Sequence, residues 1–284
     1  MKTVNVIFYF LIMSVSVFSC TSFVYDTGAF CVRGMNFDYE NNPEVRMKIE
    51  HFDAQTALLF SFKTPIGFAH MIGINERGIF ATTQSLSKRY FKKDNRKTVF
   101  IHDVFLEMLK SASAVSDLEV YLTDKRVRFS PMMYTHIMIA DKNGGAVAIE
   151  VGERDNQIIK KDGDLFAMAN FPLYQFIEKP YDQVFGRGAE SYKGVWKAML
   201  ESEDGFGLEE AIYTLEQVVI PTTECSVIYF PLKEEIYVGF DGNFDKMWKI
   251  SLKSEMIETF KGFDEKKTCQ LNANGILKSE LLKW

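Results

Sequence analysis

Histidine, cysteine and tryptophan are scarce, at four, four and three in 284 residues. His51, His70, His102 and His136 stand far apart in the chain, and none of Cys20, Cys31, Cys225 and Cys269 falls in a CxxC spacing. Zinc sites draw several such ligands from short spacings, so no metal is expected. Basic residues are not in excess: 33 Lys and Arg stand against 38 Asp and Glu, a net charge of -5. That balance argues against sequence-independent nucleic-acid binding. Seven prolines and 18 glycines are too few for a collagen-like or low-complexity chain. Gly186-Arg187-Gly188-Ala189-Glu190-Ser191 has only the first two glycines of a dinucleotide fingerprint and follows no clear strand, so no cofactor is expected. The apolar share of 47% with 25% charged residues is that of a folded protein with a large core.

The one long hydrophobic run lies at the start, where Lys2 precedes an apolar stretch from Val4 to Phe18. A positive n-region and a short h-region read as a secretory signal, with Val17 and Ser19 small enough to flank a cleavage site. Residues 1–19 are therefore expected to be removed, leaving a single domain over 20–284, exported to the periplasm or beyond, with Cys20 first. A cysteine in that position is also where bacterial lipoproteins are acylated. Val17-Phe18-Ser19-Cys20 fits that pattern except for the bulky Phe18, so membrane anchoring is expected only if Cys20 is lipidated.

Strand-length apolar runs occur at Thr21 to Tyr25, Ala29 to Gly34, Ala57 to Phe62, Ile66 to Ile72 and Gly78 to Thr83, separated by short polar joints. Apolar residues then recur every three or four positions from Ile101 to Leu118, the face of a helix or a broken pair. Strands return at His136 to Ala140 and Ala146 to Val151 around the turn at 141–145, and at Gln157 to Lys160 and Leu165 to Ala169. Two helical stretches, around Tyr192 to Leu200 and Leu208 to Val218, precede closing strands at Cys225 to Phe230, Glu235 to Phe240 and Met247 to Leu252. With no regular βαβ alternation, this order predicts one α+β domain of two antiparallel sheets between helical layers. Cys31 and Cys225 lie in strand-like runs and are expected to be buried thiols. His136 reads as a core residue, and Lys88-Arg89-Tyr90-Phe91-Lys92-Lys93 as a solvated loop.

Four segments, in order, carry a resemblance: Cys20-Thr21-Ser22-Phe23, Gly34-Met35-Asn36-Phe37-Asp38-Tyr39, Gly73-Ile74-Asn75-Glu76-Arg77-Gly78-Ile79 and Ala169-Asn170-Phe171-Pro172. Together they resemble the choloylglycine hydrolase family, the N-terminal-nucleophile hydrolases that include bile-salt hydrolases and penicillin V acylases. The resemblance implies a four-layer αββα fold and hydrolysis of a non-peptide linear amide. A terminal cysteine suits that chemistry, because its own α-amine, with an unperturbed pKa of about 7.7 to 8.0, can accept the thiol proton. The resemblance further implies that Asp38 holds that amine, that Asn170 donates to the oxyanion, and that a backbone N–H at Gln84 or Ser85 is the second donor. The family's arginine before Asn-x-Asp is replaced here by Met35. Arg33, two residues earlier on the same strand face, is the expected substitute, and Arg187 the candidate for a further family arginine. The substrate expected is a small N-acyl amide, with its acyl and amine parts open. An acyltransferase, a lipid-anchored binding protein without activity, and a homo-oligomer also stay open.

Overall fold

Runs of β-branched and aromatic residues make strands the predominant regular structure of this chain. The computed structural model describes residues 19–86, 96–130, 133–202 and 205–284. Residues 1–18 of the expected leader and the basic stretch at 88–93 lie outside the described residues. In chain order the strands are β1 (Thr21–Asp26), β2 (Cys31–Asp38), β3 (Val45–His51), β4 (Thr56–Thr64), β5 (Gly67–Asn75), β6 (Phe80–Ser85), β7 (Lys97–Phe100), β8 (Lys125–Arg128), β9 (Thr135–Ala140), β10 (Ala146–Val151), β11 (Asn156–Lys160), β12 (Leu165–Ala169), β13 (Thr223–Phe230), β14 (Glu235–Phe240), β15 (Asn243–Ser251), β16 (Met256–Lys261), β17 (Thr268–Gln270) and β18 (Ile276–Leu277). The helices are α1 (Ile101–Ser111), α2 (Ser116–Leu122), α3 (Ala189–Leu200), α4 (Leu208–Glu216) and α5 (Lys278–Leu281).

Two large antiparallel sheets result. The first runs β12-β1-β2-β13-β14-β15-β16-β17 and the second β11-β10-β9-β6-β5-β4-β3-β18, with β7 and β8 a separate parallel pair. Helices α3 and α4 pack on β12, β1, β2 and β13, while α1 packs on β4, β5, β6 and β9. The order is helices, sheet, sheet, helices: the expected αββα sandwich. Covered on both faces, the central strands β2, β9, β10 and β13 are buried along their whole length, polar residues such as Arg33, Asn36 and Asp38 on β2 included. Strand β3 is covered less completely. It alternates buried Val45, Met47 and Ile49 with half-buried charged residues, and that intervening charge is why a search for apolar runs passes over it.

The chain-distant His70 and His102 stack with ring centroids 5.6 Å apart, a meeting their spacing did not signal. Cys31 and Cys225 are buried free thiols, as expected.

Close packing between β1 and β2 depends on Gly34. A Cβ there would lie 2.2 Å from Cε1 of Phe23, its partner across the ladder. Gly34→Ala is expected to destabilise the protein by about 1 to 3 kcal/mol, because Phe23 is fully enclosed and has nowhere to move. Chemical denaturation checks this, and Phe23→Leu in the same chain should recover part of the loss.

Candidate active site

The ends of four adjacent strands build the site. The β1–β12 ladder ends at Thr21 opposite Ala169, so the next step along each chain sets Cys20 beside Asn170. On the other side Thr21 pairs with Asn36, and β2 continues two residues to Asp38. Expected strand ends stopped at Gly34; the strand in fact runs to Asp38 because Phe37 and Asp38 stay paired with β13. Asp38 is thus a fully buried strand residue and not part of a turn.

Cys20 is 4% exposed. Its Sγ accepts from the Asp38 N–H and donates to the Asp38 carbonyl, each at 3.4 Å. Burial first, and then the Asp38 carboxylate, push the thiol up to about 12, while Arg187 pulls it down. Asp38 is also displaced: burial raises its carboxyl to about 7, a hydrogen bond from Thr223 opposes the rise, and Glu224 adds to it. Thr223 Oγ1 donates to Asp38 Oδ1 at 2.5 Å, whereas Oδ2 is buried with no partner among the described residues. Cys20 is still joined to Ser19, whose hydroxyl lies 2.7 Å from that of Ser191 on α3 and which is itself buried. The nitrogen of Cys20 is therefore an amide here, and no ion pair to the carboxylate occurs among the described residues.

Asn170 directly follows β12 and donates its Nδ2 to the carbonyl and hydroxyl oxygens of Ser85, at 2.8 and 3.1 Å. Two segments distant in sequence, both expected to supply oxyanion donors, are therefore tied together. Leu86 N–H bonds Tyr134 on the β9 side. Antiparallel alternation then turns the Gln84 N–H toward β9 and the Ser85 N–H away from it, making Ser85 the better-placed backbone donor. The Gln84 side chain instead reaches across to Ser22 and the Met168 carbonyl.

Arg187 lines the cavity with Cys20, between Gly186 and Gly188 at φ 115° and 78°. Only glycine holds such angles without strain, and a Cβ on Gly188 would come within 3.0 Å of the Asn170 nitrogen. The tight turn thus sets the arginine and the start of α3 against Asn170. Arg33 is not part of this site, which corrects the expectation. Its guanidinium is fully buried at the far end of the β1–β2 hairpin, bonded to Asp26 and to the carbonyls of Tyr25, Val32 and Asp141. At the strand rise, five residues along β2 place it roughly 16 Å from Asp38. Met35 is buried in the apolar core, so no arginine substitutes there.

The cavity measures about 330 Å³. Beyond the polar groups its walls include Phe37, Tyr39 and Phe62, whose rings contact one another at 4.7 to 5.9 Å between centroids. Cavities of about 350 and about 610 Å³ elsewhere are larger, but they are lined by glutamates without a thiol, so size does not mark the site. Thr223 and Ser191 had no signal in the sequence, since isolated hydroxyl residues carry no spacing that assigns them a partner.

No family model matches the chain, and no curated protein matches it. Solved structures do. A mutant of the conjugated bile acid hydrolase from Clostridium perfringens is similar at a TM-score of 0.63 and 15% identity, over 89% of this chain and 97% of that one. Penicillin V acylase from Agrobacterium tumefaciens matches at 0.61 and 13% identity, over 91% and 97%. The Caenorhabditis elegans ortholog of N-acylethanolamine-hydrolyzing acid amidase matches at 0.51 and 13%, over 75% and 93%. The fold implied by the sequence resemblance is thus the fold shared with these amide-cleaving enzymes.

Proposed function

We propose that this protein is an N-terminal-nucleophile amidase that cleaves a non-peptide linear amide C–N bond with the thiol of Cys20. The observation that carries the reading is the meeting, at one cavity, of a buried thiol and a buried carboxylate with one unpaired oxygen, with the Asn170 amide bonded to Ser85 in the cavity wall.

While Cys20 is joined to Ser19, a thiol titrating near 12 is protonated at neutral pH and unreactive. Removing residues 1–19 turns the Cys20 nitrogen into an amine. Its cation would pair with Asp38 and lower both displaced values, since opposite charge favours the ionised forms. The neutral amine takes the thiol proton, the thiolate attacks the amide carbonyl, and the amine product leaves with that proton. Water then hydrolyses the thioester, deprotonated by the same α-amine. Asn170 Nδ2 and the Ser85 N–H stabilise the oxyanion in both steps. Aromatic walls at Phe37, Tyr39 and Phe62 suit an apolar acyl group. A sulfur enclosed at 4% exposure favours the free thiol over a lipid anchor. The leader and export belong to the same proposal.

Intact mass of the secreted protein tests the premise: a mature chain starting at Cys20 without adduct is expected, and a lipid adduct overturns the reading. Amine release from a panel of N-acyl amides tests the reaction. Asn170→Ala is expected to lower kcat about 100-fold with a much smaller change in KM.

A further inference from the structure

Asn170 is held from both sides by the opposite sheet. Two residues before it, the Met168 carbonyl accepts from Gln84 Nε2 at 3.0 Å. Three residues after it, the Leu173 N–H donates to Glu150 Oε1 at 2.7 Å, and the Tyr174 N–H lies 3.4 Å from Oε2. Glu150 on β10 is in turn 2.8 Å from His136 Nδ1 on β9, and the two are 1% and 0% exposed. His136 stands directly across the β6–β9 ladder from Gln84, which puts the two clamps on one face of the second sheet. The amidase mechanism uses none of these side chains.

Such a group is costly. His136 Nε2 and Gln84 Oε1 are buried without a partner among the described residues, and apolar side chains of similar volume would fill the same space more favourably. What the polar set achieves is location. The short segment from Asn170 to Gln175 is not in either sheet's ladder: the Phe171 and Gln175 N–H groups bond locally, to Ala169 and Pro172, and those of Leu173 and Tyr174 go to Glu150 on the other sheet.

We propose that Glu150, supported by His136, and Gln84 are positioning residues that fix the Asn170 amide at the oxyanion site. The proposal rests on the amidase reading. Substrate binding by the aromatic walls does not involve the clamp, so its loss acts on turnover.

The test uses the mature protein and the substrate found in the amide panel. Glu150→Gln keeps the volume but replaces one acceptor with a donor. It is expected to lower kcat about 10- to 100-fold with KM within about threefold, as a misplacement of the order of 1 Å does. Hydrogen exchange in peptides covering residues 170–176 should accelerate, while that of β1 and β2 stays as in the wild type. Gln84→Met, which cuts the other clamp, should give the same kcat-specific loss and covers the case in which Glu150→Gln does not fold. Faster exchange with unchanged kcat, or a rise in KM alone, overturns the proposal and leaves the amidase reading standing. A wild-type protein that turns over no amide overturns both.

Discussion

Cys20→Ala is expected to reduce amide hydrolysis to background, a loss of at least about 10⁴-fold, because nucleophile and proton shuttle act as one unit. Stability should change little. Among the described residues the sulfur's hydrogen bonds are two long ones to the Asp38 backbone, and a small buried thiol contributes on the order of 1 kcal/mol through packing. A variant that folds as the wild type yet releases no amine separates chemistry from structure. Cys20→Ser keeps the shape but presents an alcohol, a far weaker nucleophile when its only base is an amine whose unperturbed pKa is about 8, so only a small residue of activity should remain. Full turnover in the alanine variant would sink the assignment of the nucleophile.

The second large effect comes from Asp38, and its sign depends on whether Cys20 has been freed. In the chain still bearing Ser19, the carboxyl titrates near 7 when folded and near 4 when unfolded. The folded state then binds more protons across that window, so stability is greatest below about pH 4 and falls as pH rises through 7. Asp38→Asn abolishes this dependence. In the unprocessed chain it should raise stability above pH 7, by up to a few kcal/mol if the whole shift is realised, and change little below pH 4. In a chain beginning at Cys20 the α-ammonium would supply Oδ2 with a cation, and the same substitution should cost stability and lower kcat/KM by about 100-fold or more. Urea unfolding of both forms at pH 4 and pH 8, with intact mass confirming the state of the Ser19–Cys20 bond, reads the reversal. The same direction of change in both forms would refute the pairing of Asp38 with the amine.

Much of this molecule is legible from local pattern. The breaks around α1 and α2, the β9–β10 turn and the αββα order follow from periodicity, turn residues and four short motifs, each a property of a few neighbouring positions. Cys20 is marked by its place after the apolar run at the chain start, and Asp38 and Asn170 by the family motifs they sit in, Asn36-Phe37-Asp38 and Asn170-Phe171-Pro172. Arg33 shows where this reading stops. Strand alternation places it on the right face, but Asp26 and three carbonyls at the hairpin end hold it at the wrong height along β2.

The sequence by itself marked most of the central strands, the helices α1 to α4, their apolar faces and Cys20 as a candidate nucleophile, since these depend on patterns a few residues apart; β3, β16 to β18 and α5 carry too little apolar pattern to show. Only the tertiary structure decided what surrounds that nucleophile. Thr223 meets Asp38 across 185 positions, Ser85 meets Asn170 across 85, and Glu150 meets Leu173 across 23. Hydrogen bonds of that span arise from sheet register and the stacking of two sheets, and no local preference of either partner encodes them.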